Sequence, residues 1–496
     1  MTRLAFATLD RLPVDARVPA YDRKQPCGVV HLGTGAFHRA HQAAYFNALL
    51  AQGHSGWMIR GASLRSPGVA DQMNPQDGLF TILVREGGAE RMEVVGSIAE
   101  VLVARQDPAA LVSALAHPDV ALVTLTVTEK GYYLDPAIGE LKLDDPAVAA
   151  DIADLNAPVT APGFLVAGLA ARWKAGVDPF TVLSCDNLPD NGRRTKEAVL
   201  ALAREIDADL AKWIAQTVAF PSSMVDRIVP ATTQEDLDNF ESATGLRDEA
   251  LVKTEPFTQW VVEDRFCNRR PALEQVGVQM TDDVAAWEMA KLRLLNGAHS
   301  AIAYLGGLAG HRYVHQAIAA PGFDRLINAL WDEAQTTLSP IEGFDPGVYR
   351  AQLAERFANS ALGHLTHQIA MDGSQKLPQR WLNTIRDYSK SGKGVPAALT
   401  LAVAGWMHWQ SGHSDKGVSH RVDDPLADAT AAALKQAGGE REGEVRNLLG
   451  IGAIFGEELP LNTPFVEQLV RDYTQIAETS AAHAVAAFCD PARQEG

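Results

Sequence analysis

Four short runs in the first half of the chain are apolar on both faces: Gly28 to Leu32 (GVVHL), Trp57 to Ala62 (WMIRGA), Val120 to Thr128 (VALVTLTVT) and Phe180 to Cys185 (FTVLSC). Buried parallel strands read this way. Between them lie helical patterns at Phe37 to Gln52, Asp107 to Ala116, Gly163 to Ala175 and Arg193 to Ala208. Alternating strands and helices predict right-handed crossovers and a parallel α/β sheet. Leu79 to Ile98 differs, because two strand-like runs flank Glu86-Gly87-Gly88 and predict an antiparallel hairpin, an insertion or sheet extension. From about Asp282 the pattern becomes helical throughout, at Val284 to Leu308, Gly322 to Leu338, Val395 to Gln410, Pro425 to Gln436 and Phe465 to Phe488. The boundary falls between Gly277 and Asp283. The expected domains are therefore 1–281, built on the parallel sheet, and 282–496, mostly α-helical.

Length and charge narrow the function. A chain of 496 residues can bury sizeable cores without staples, and its 61 acidic against 44 basic residues leave a net charge of −17. That surplus repels phosphate backbones and anionic membranes, so neither nucleic acid nor a membrane is an expected partner. Cys27, Cys185, Cys267 and Cys489 form no CxxC pair, which speaks against a disulfide framework or thiolate zinc site and for a reducing cytoplasm. The longest apolar stretch, Val395 to Trp409, is shorter than the ~20 residues that cross a bilayer.

The first strand runs directly into Gly33-Thr34-Gly35-Ala36-Phe37-His38-Arg39 and a helix. Strand, GxG and helix together are the context in which glycines let a pyrophosphate approach main-chain amides. Two features depart from the standard dinucleotide fingerprint. His38 replaces the third glycine, and Ser63-Leu64-Arg65-Ser66 supplies no ribose-binding acid after the second strand. NAD against NADP stays open on this ground, with Arg65 a candidate for a 2′-phosphate. Polar residues also end two other β-like runs, at Thr126-Val127-Thr128-Glu129-Lys130-Gly131 and at Ser184-Cys185-Asp186-Asn187, where α/β proteins bind ligands, though each could equally be a helix cap or turn. Ser223 to Arg227 is similar, with Asp226 either a structural partner of Arg227 or a carboxylate steering a base.

On an otherwise apolar helix stand Glu288, Lys291, Asn296 and His299. Taking Lys291 as zero, an ideal α-helix puts Glu288 at about 60°, His299 at about 80° and Asn296 at about 140°. One face holds all four. Such a set is either a solvated stripe or a site, and a lysine disfavoured in its charged form by burial is a competent base near neutral pH. The histidine pairs His364/His367 and His408/His413 lack a companion carboxylate or cysteine set, so no metal site is expected.

Taken together, VVHLGTGAFHRAHQA, LTVTEKGYY, LSCDNLPDNG, FPSSMVDRIVPAT, EPFTQWVVED, KLRLLNGAHSAIAYLG and MDGSQKLPQR resemble the long-chain polyol dehydrogenase, or mannitol dehydrogenase, family over nearly the whole chain. The resemblance implies a Rossmann-like dinucleotide-binding domain followed by a helical catalytic domain, NAD as cofactor, independence of zinc and a monomeric state. It implies that Lys291 is the general base, that Asn187 and Asn296 form an oxyanion hole, and that His299 holds a substrate hydroxyl. It further implies that Asp226 supports the lysine, that Glu288 lies on a proton path, and that Lys376 and Gln368 meet the substrate. The expected substrate is a polyol, ketose or hexuronate. The run Gln368 to Arg380 resembles the branch that reduces fructuronate, whereas Gly363-His364-Leu365 lacks that branch's arginines, which favours mannitol interconverted with fructose. A catalytically silent dinucleotide-binding sensor or scaffold is the third reading.

Overall fold

The computed structural model describes residues 2–135 and 138–488, so that Cys489 lies outside the described residues. The chain forms two compact units that divide after Ala285.

The first unit contains the strands β1 (Val29–Leu32), β2 (Ile59–Ser63), β3 (Phe80–Glu86), β4 (Ala89–Val95), β5 (Ile98–Val103), β6 (Leu122–Leu125), β7 (Thr181–Ser184), β8 (Ser223–Asp226), β9 (Val252–Thr254), β10 (Gln259–Glu263) and β11 (Gln279–Thr281). Five of them make a parallel sheet in the order β5-β2-β1-β6-β7. The period of two sorts their side chains. Val29, Ile59, Leu122 and Leu183 join one core with Phe46, Leu49 and Trp260, while Val30, Leu32, Val123, Leu125 and Val182 join another with Phe164, Leu165, Val199 and Leu202. Each such buried side chain contributes about 1.5–3 kcal/mol, which is why every strand reads as a continuous apolar run. Helices Pro108–Ala116 and Ala161–Ala175 start where the sequence caps them: Asp107 accepts from the Ala110 N–H and Thr160 from the Gly163 N–H.

The expected hairpin forms, with β3 and β4 paired from Phe80↔Val95 to Glu86↔Ala89. It extends no parallel sheet, however, but makes a separate three-stranded sheet with β9. The strand that does extend the parallel sheet is β5, which the sequence pattern merges with the hairpin because only Gly96 and Ser97 separate them. It pairs with β2, where Arg60 and Glu100 form an ion pair at 2.7 Å.

The second unit is helical. Its most buried elements are Gly297–Leu308 and Ala397–Trp409, with Tyr304, Trp381 and Trp406 in the core. Ala397–Trp409 has 13 residues, and no described helix is long and apolar enough to cross a membrane. The segment expected as one helix over Val284 to Leu308 is instead α-helical over Val284–Ala290, π-helical over Lys291–Asn296 and α-helical again from Gly297.

Candidate active site

In the first unit, the glycine motif begins where β1 ends. Gly33 has φ +98°, and a Cβ there would overlap the carbonyl oxygen of Thr126. Its N–H donates to the Ala62 carbonyl at 2.8 Å, and the Thr126 hydroxyl donates to its carbonyl at 2.7 Å. The glycine therefore binds the ends of β1, β2 and β6 to one another. Gly35 is the N-cap of helix Ala36–Ala40 and supplies no capping side chain. The first-turn amides at Ala36 and Phe37 thus have no side-chain acceptor, and a Cβ on Gly35 would meet nothing closer than Gly33 O at 3.8 Å. An anionic pyrophosphate fits such an uncapped helix start.

His38, where the third glycine is expected, is fully buried and stacks on His31 of β1 with ring centroids 3.3 Å apart. His31 is itself fixed by Thr124 at 2.7 Å and Thr126 at 2.9 Å. Burial holds His31 down at about 3 and His38 well below the usual imidazole range, so both rings are neutral. A ring-on-ring stack here sets the helix–strand spacing that glycine sets in the standard fingerprint. Arg39 is also buried and donates to the Thr34 carbonyl at 3.2 Å, holding the loop from inside. Arg65 is exposed beyond β2. The helix expected from Phe37 to Gln52 breaks at His41 (φ −120°, ψ −90°).

Asp186 organises the next two strand ends, a role that sequence reading missed. Its carboxylate accepts from the N–H groups of Val127 (3.1 Å) and Thr128 (2.8 Å) and from the Tyr132 hydroxyl (2.6 Å). Burial pushes its pKa up. Thr128 is held at φ +66° by this anchor, and Glu129 and Lys130 stand exposed on the turn that follows. The available signal was a carboxylate at the end of a buried strand, which needs partners. Asn187, the next residue, is exposed. Asn191 donates to the carbonyls of Asp186 (3.0 Å) and Ser223 (2.7 Å), which ties the end of β7 to the start of β8. That strand ends in the buried Asp226. Arg227 directs its guanidinium to the carbonyls of Ala40 and Glu255.

In the second unit, Lys291 and Asn296 bracket the π-helical segment, and Lys291 is buried. Bonding from i to i+5 brings Asn296 one turn on from Lys291, closer to its azimuth than the α-helical projection gave. The carbonyls that this geometry frees are taken by indoles: Trp331 Nε1 donates to Leu294 (2.9 Å) and Trp381 Nε1 to Gly297 (3.0 Å). A second π-helical segment, Pro378–Leu382, starts at a proline that has no N–H to give.

His299 stacks on Phe357 (5.3 Å) and meets the edge of His364 (4.6 Å). Its Nε2 is buried without a hydrogen-bond partner among the described residues. Burial holds its pKa well below the usual range, with further lowering by His364, Arg380, Arg356 and Lys376. A neutral ring with an unmet nitrogen suits a substrate hydroxyl. Lys376 donates to the Met371 carbonyl, and burial with Arg380 nearby brings its pKa down to about 8. Arg380 donates to Ser300 Oγ at 2.7 Å. Glu288 is half-buried on Val284–Ala290, and Gln368 is exposed on Thr366–Ala370. His364 and Arg380 were absent from the expected site. The two expected histidine pairs diverge: His367 lies 3.7 Å from Asp423, and His408 packs on Tyr473. No group of three metal-ligating side chains occurs among the described residues.

Comparison with known proteins agrees with this division. The mannitol dehydrogenase Rossmann domain matches residues 27–275, and the mannitol dehydrogenase C-terminal domain matches residues 283–477. The chain is 42% identical to a D-mannonate oxidoreductase of Escherichia coli strain K12, over 95% of this chain and 97% of that protein. It is 40% identical to a mannitol 2-dehydrogenase of Pyrenophora tritici-repentis, over 91% of this chain and 80% of the other. The solved ternary complex of Pseudomonas fluorescens mannitol 2-dehydrogenase with NAD and D-mannitol superposes with a TM-score of 0.81 at 37% identity, covering 98% and 99% of the two chains. With both domains matched in order along the chain, the protein belongs to the mannitol dehydrogenase family.

Proposed function

We propose that this chain is an NAD-dependent, metal-independent dehydrogenase that interconverts a secondary alcohol of a polyol or sugar acid with the corresponding ketone. The observation that carries the proposal is the set Lys291, Asn296 and His299 on one helical run, with a buried lysine and an imidazole nitrogen left unmet by the protein. NAD, seated at the Gly33–Arg39 loop of a 1–281 dinucleotide-binding domain, supplies the hydride chemistry. In oxidation Lys291 accepts the hydroxyl proton, and in reduction it returns that proton to the oxygen. Asn187 and Asn296 are amide donors to the oxygen as its charge grows. Asp226 supports the lysine, Glu288 passes the proton onward, and His299 and Lys376, with Gln368 at the rim, hold substrate hydroxyls. These roles make 282–496 the substrate domain.

Both mannitol/fructose and mannonate/fructuronate suit this machinery. The preference for mannitol rested on the missing arginines at Gly363 and Leu365, yet Arg356 and Arg380 bear on His299 from elsewhere in the second unit. A silent sensor would not need Lys291, Asn187 and Asn296 together. We place the protein in the cytoplasm, consistent with the free thiols Cys27, Cys185 and Cys267, and take it to act as a monomer. The test follows NADH and NADPH absorbance with mannitol, sorbitol, arabinitol, fructose, fructuronate and tagaturonate, before and after extensive chelation. Turnover with NADH that survives chelation is expected. No turnover with any of them, or activity restored only by zinc, contradicts the proposal.

A further inference from the structure

Arg380 is a half-buried guanidinium that no carboxylate among the described residues meets within ion-pair distance. Only Nη1 is engaged by the protein, by Ser300 Oγ at 2.7 Å and the Asn296 carbonyl at 3.5 Å. The Nε and Nη2 groups make no hydrogen bond among the described residues and remain open to solvent. Arg380, Arg356, Lys376 and His364 are the chief groups acting on His299, and all of them oppose its protonation. The acids that act on Lys376 are Asp372 and Asp424. Asp424 is already engaged, accepting from the N–H (2.7 Å) and hydroxyl of Ser374 and from the Leu426 N–H (2.8 Å).

A guanidinium in a partly desolvated place, with no described carboxylate against it, is unfavourable unless an anion completes it. A planar carboxylate matches the free Nε/Nη2 edge with two parallel hydrogen bonds, which a hydroxymethyl group cannot make. We infer that Arg380 is a specificity-determining residue that receives the carboxylate of an acidic sugar substrate, so that a hexuluronate is preferred to the neutral ketohexose. The inference rests on the hydride-transfer reading and deepens it. A purely structural arginine at this position needs only the Nη1 contacts, whereas substrate recognition uses the opposite edge.

The experiment compares kcat/KM of the full-length protein for D-fructuronate, D-fructose and D-fructose 6-phosphate with NADH. The first two differ only at the terminal carbon. Wild type is expected to favour fructuronate over fructose by 100-fold or more, and Arg380→Gln to lower that ratio at least tenfold. Arg380→Lys, which keeps the charge and loses the fork, should lower it at least threefold, and it carries the test if the glutamine variant does not fold. A ratio unchanged in the variants while both rates fall together would mark a structural role and overturn the inference. A wild-type preference for fructose, or for the phosphate ester, overturns it as well. Failure to reduce any of the three overturns the inference, and only failure with the whole panel above defeats the hydride-transfer reading itself, so the two failures are separable.

Discussion

At Gly33, φ is +98° and the space a Cβ needs is filled by the Thr126 carbonyl, whereas at Gly35 the backbone is extended (φ −80°, ψ −174°) with open space beyond. Two glycines of one motif thus meet different demands, the first set by the fold and the second by a ligand. Gly33→Ala combines a left-handed alanine, which costs about 1–2 kcal/mol, with a main-chain overlap, so we expect a total loss of stability above about 2 kcal/mol. Gly35→Ala should leave the melting temperature nearly unchanged while weakening NAD affinity at least tenfold, because its methyl stands between the pyrophosphate and the first-turn amides. Thermal unfolding and dinucleotide titration of the two variants check this, and an alanine at 35 that binds NAD normally would contradict it. The motif was legible in the sequence. The His31–His38 stack was not, because which residue on β1 meets the helix is a matter of strand orientation that spacing alone does not reveal.

Elements were legible where their period is strong. The four apolar runs became β1, β2, β6 and β7, and the second half is helical as its alanine- and leucine-rich segments predict. β5 was lost because two residues of separation leave no break in the pattern, and the π-helical run because a wheel drawn at a constant angle assumes regular geometry. Its carbonyls are met by tryptophans distant in sequence, whose indole N–H groups donate to Leu294 and Gly297. Packing likewise sets the behaviour of helix Thr463–Glu478. There Asp472 is buried, Gln468 donates to Oδ1 at 2.8 Å, and Oδ2 has no protein partner. Burial pushes its pKa up to about 7. The unfolded chain releases this proton near pH 4 and the folded chain holds it until about 7, so this group's contribution to stability falls as pH rises between those values. Asp472→Asn should therefore be more stable than wild type at pH 8, by more than about 1 kcal/mol, with the difference shrinking toward pH 4. Calorimetry at the two pH values checks it; a variant less stable at pH 8 would contradict the assignment.

For the whole molecule, the sequence motifs spanned both units because each strand end and the Lys291 helix carries polar residues that the fold alone does not require. What they left out was the support around them. Asp186 holds Thr128, and Arg380 and His364 flank the site from segments remote in sequence, contributions visible only once distant segments pack. The net charge of −17 could not reveal the cations that act on His299. The account turns on Lys291 as the group that takes and returns the proton. The most direct test is single-turnover hydride transfer in Lys291→Ala with NAD and the best substrate, alongside the NAD dissociation constant. We predict a rate at least ~1000-fold below wild type, about 4 kcal/mol of transition-state stabilisation, with NAD binding retained at the Gly33–Arg39 loop. A variant that keeps more than about a tenth of the wild-type rate, a loss under ~1.4 kcal/mol, would contradict it.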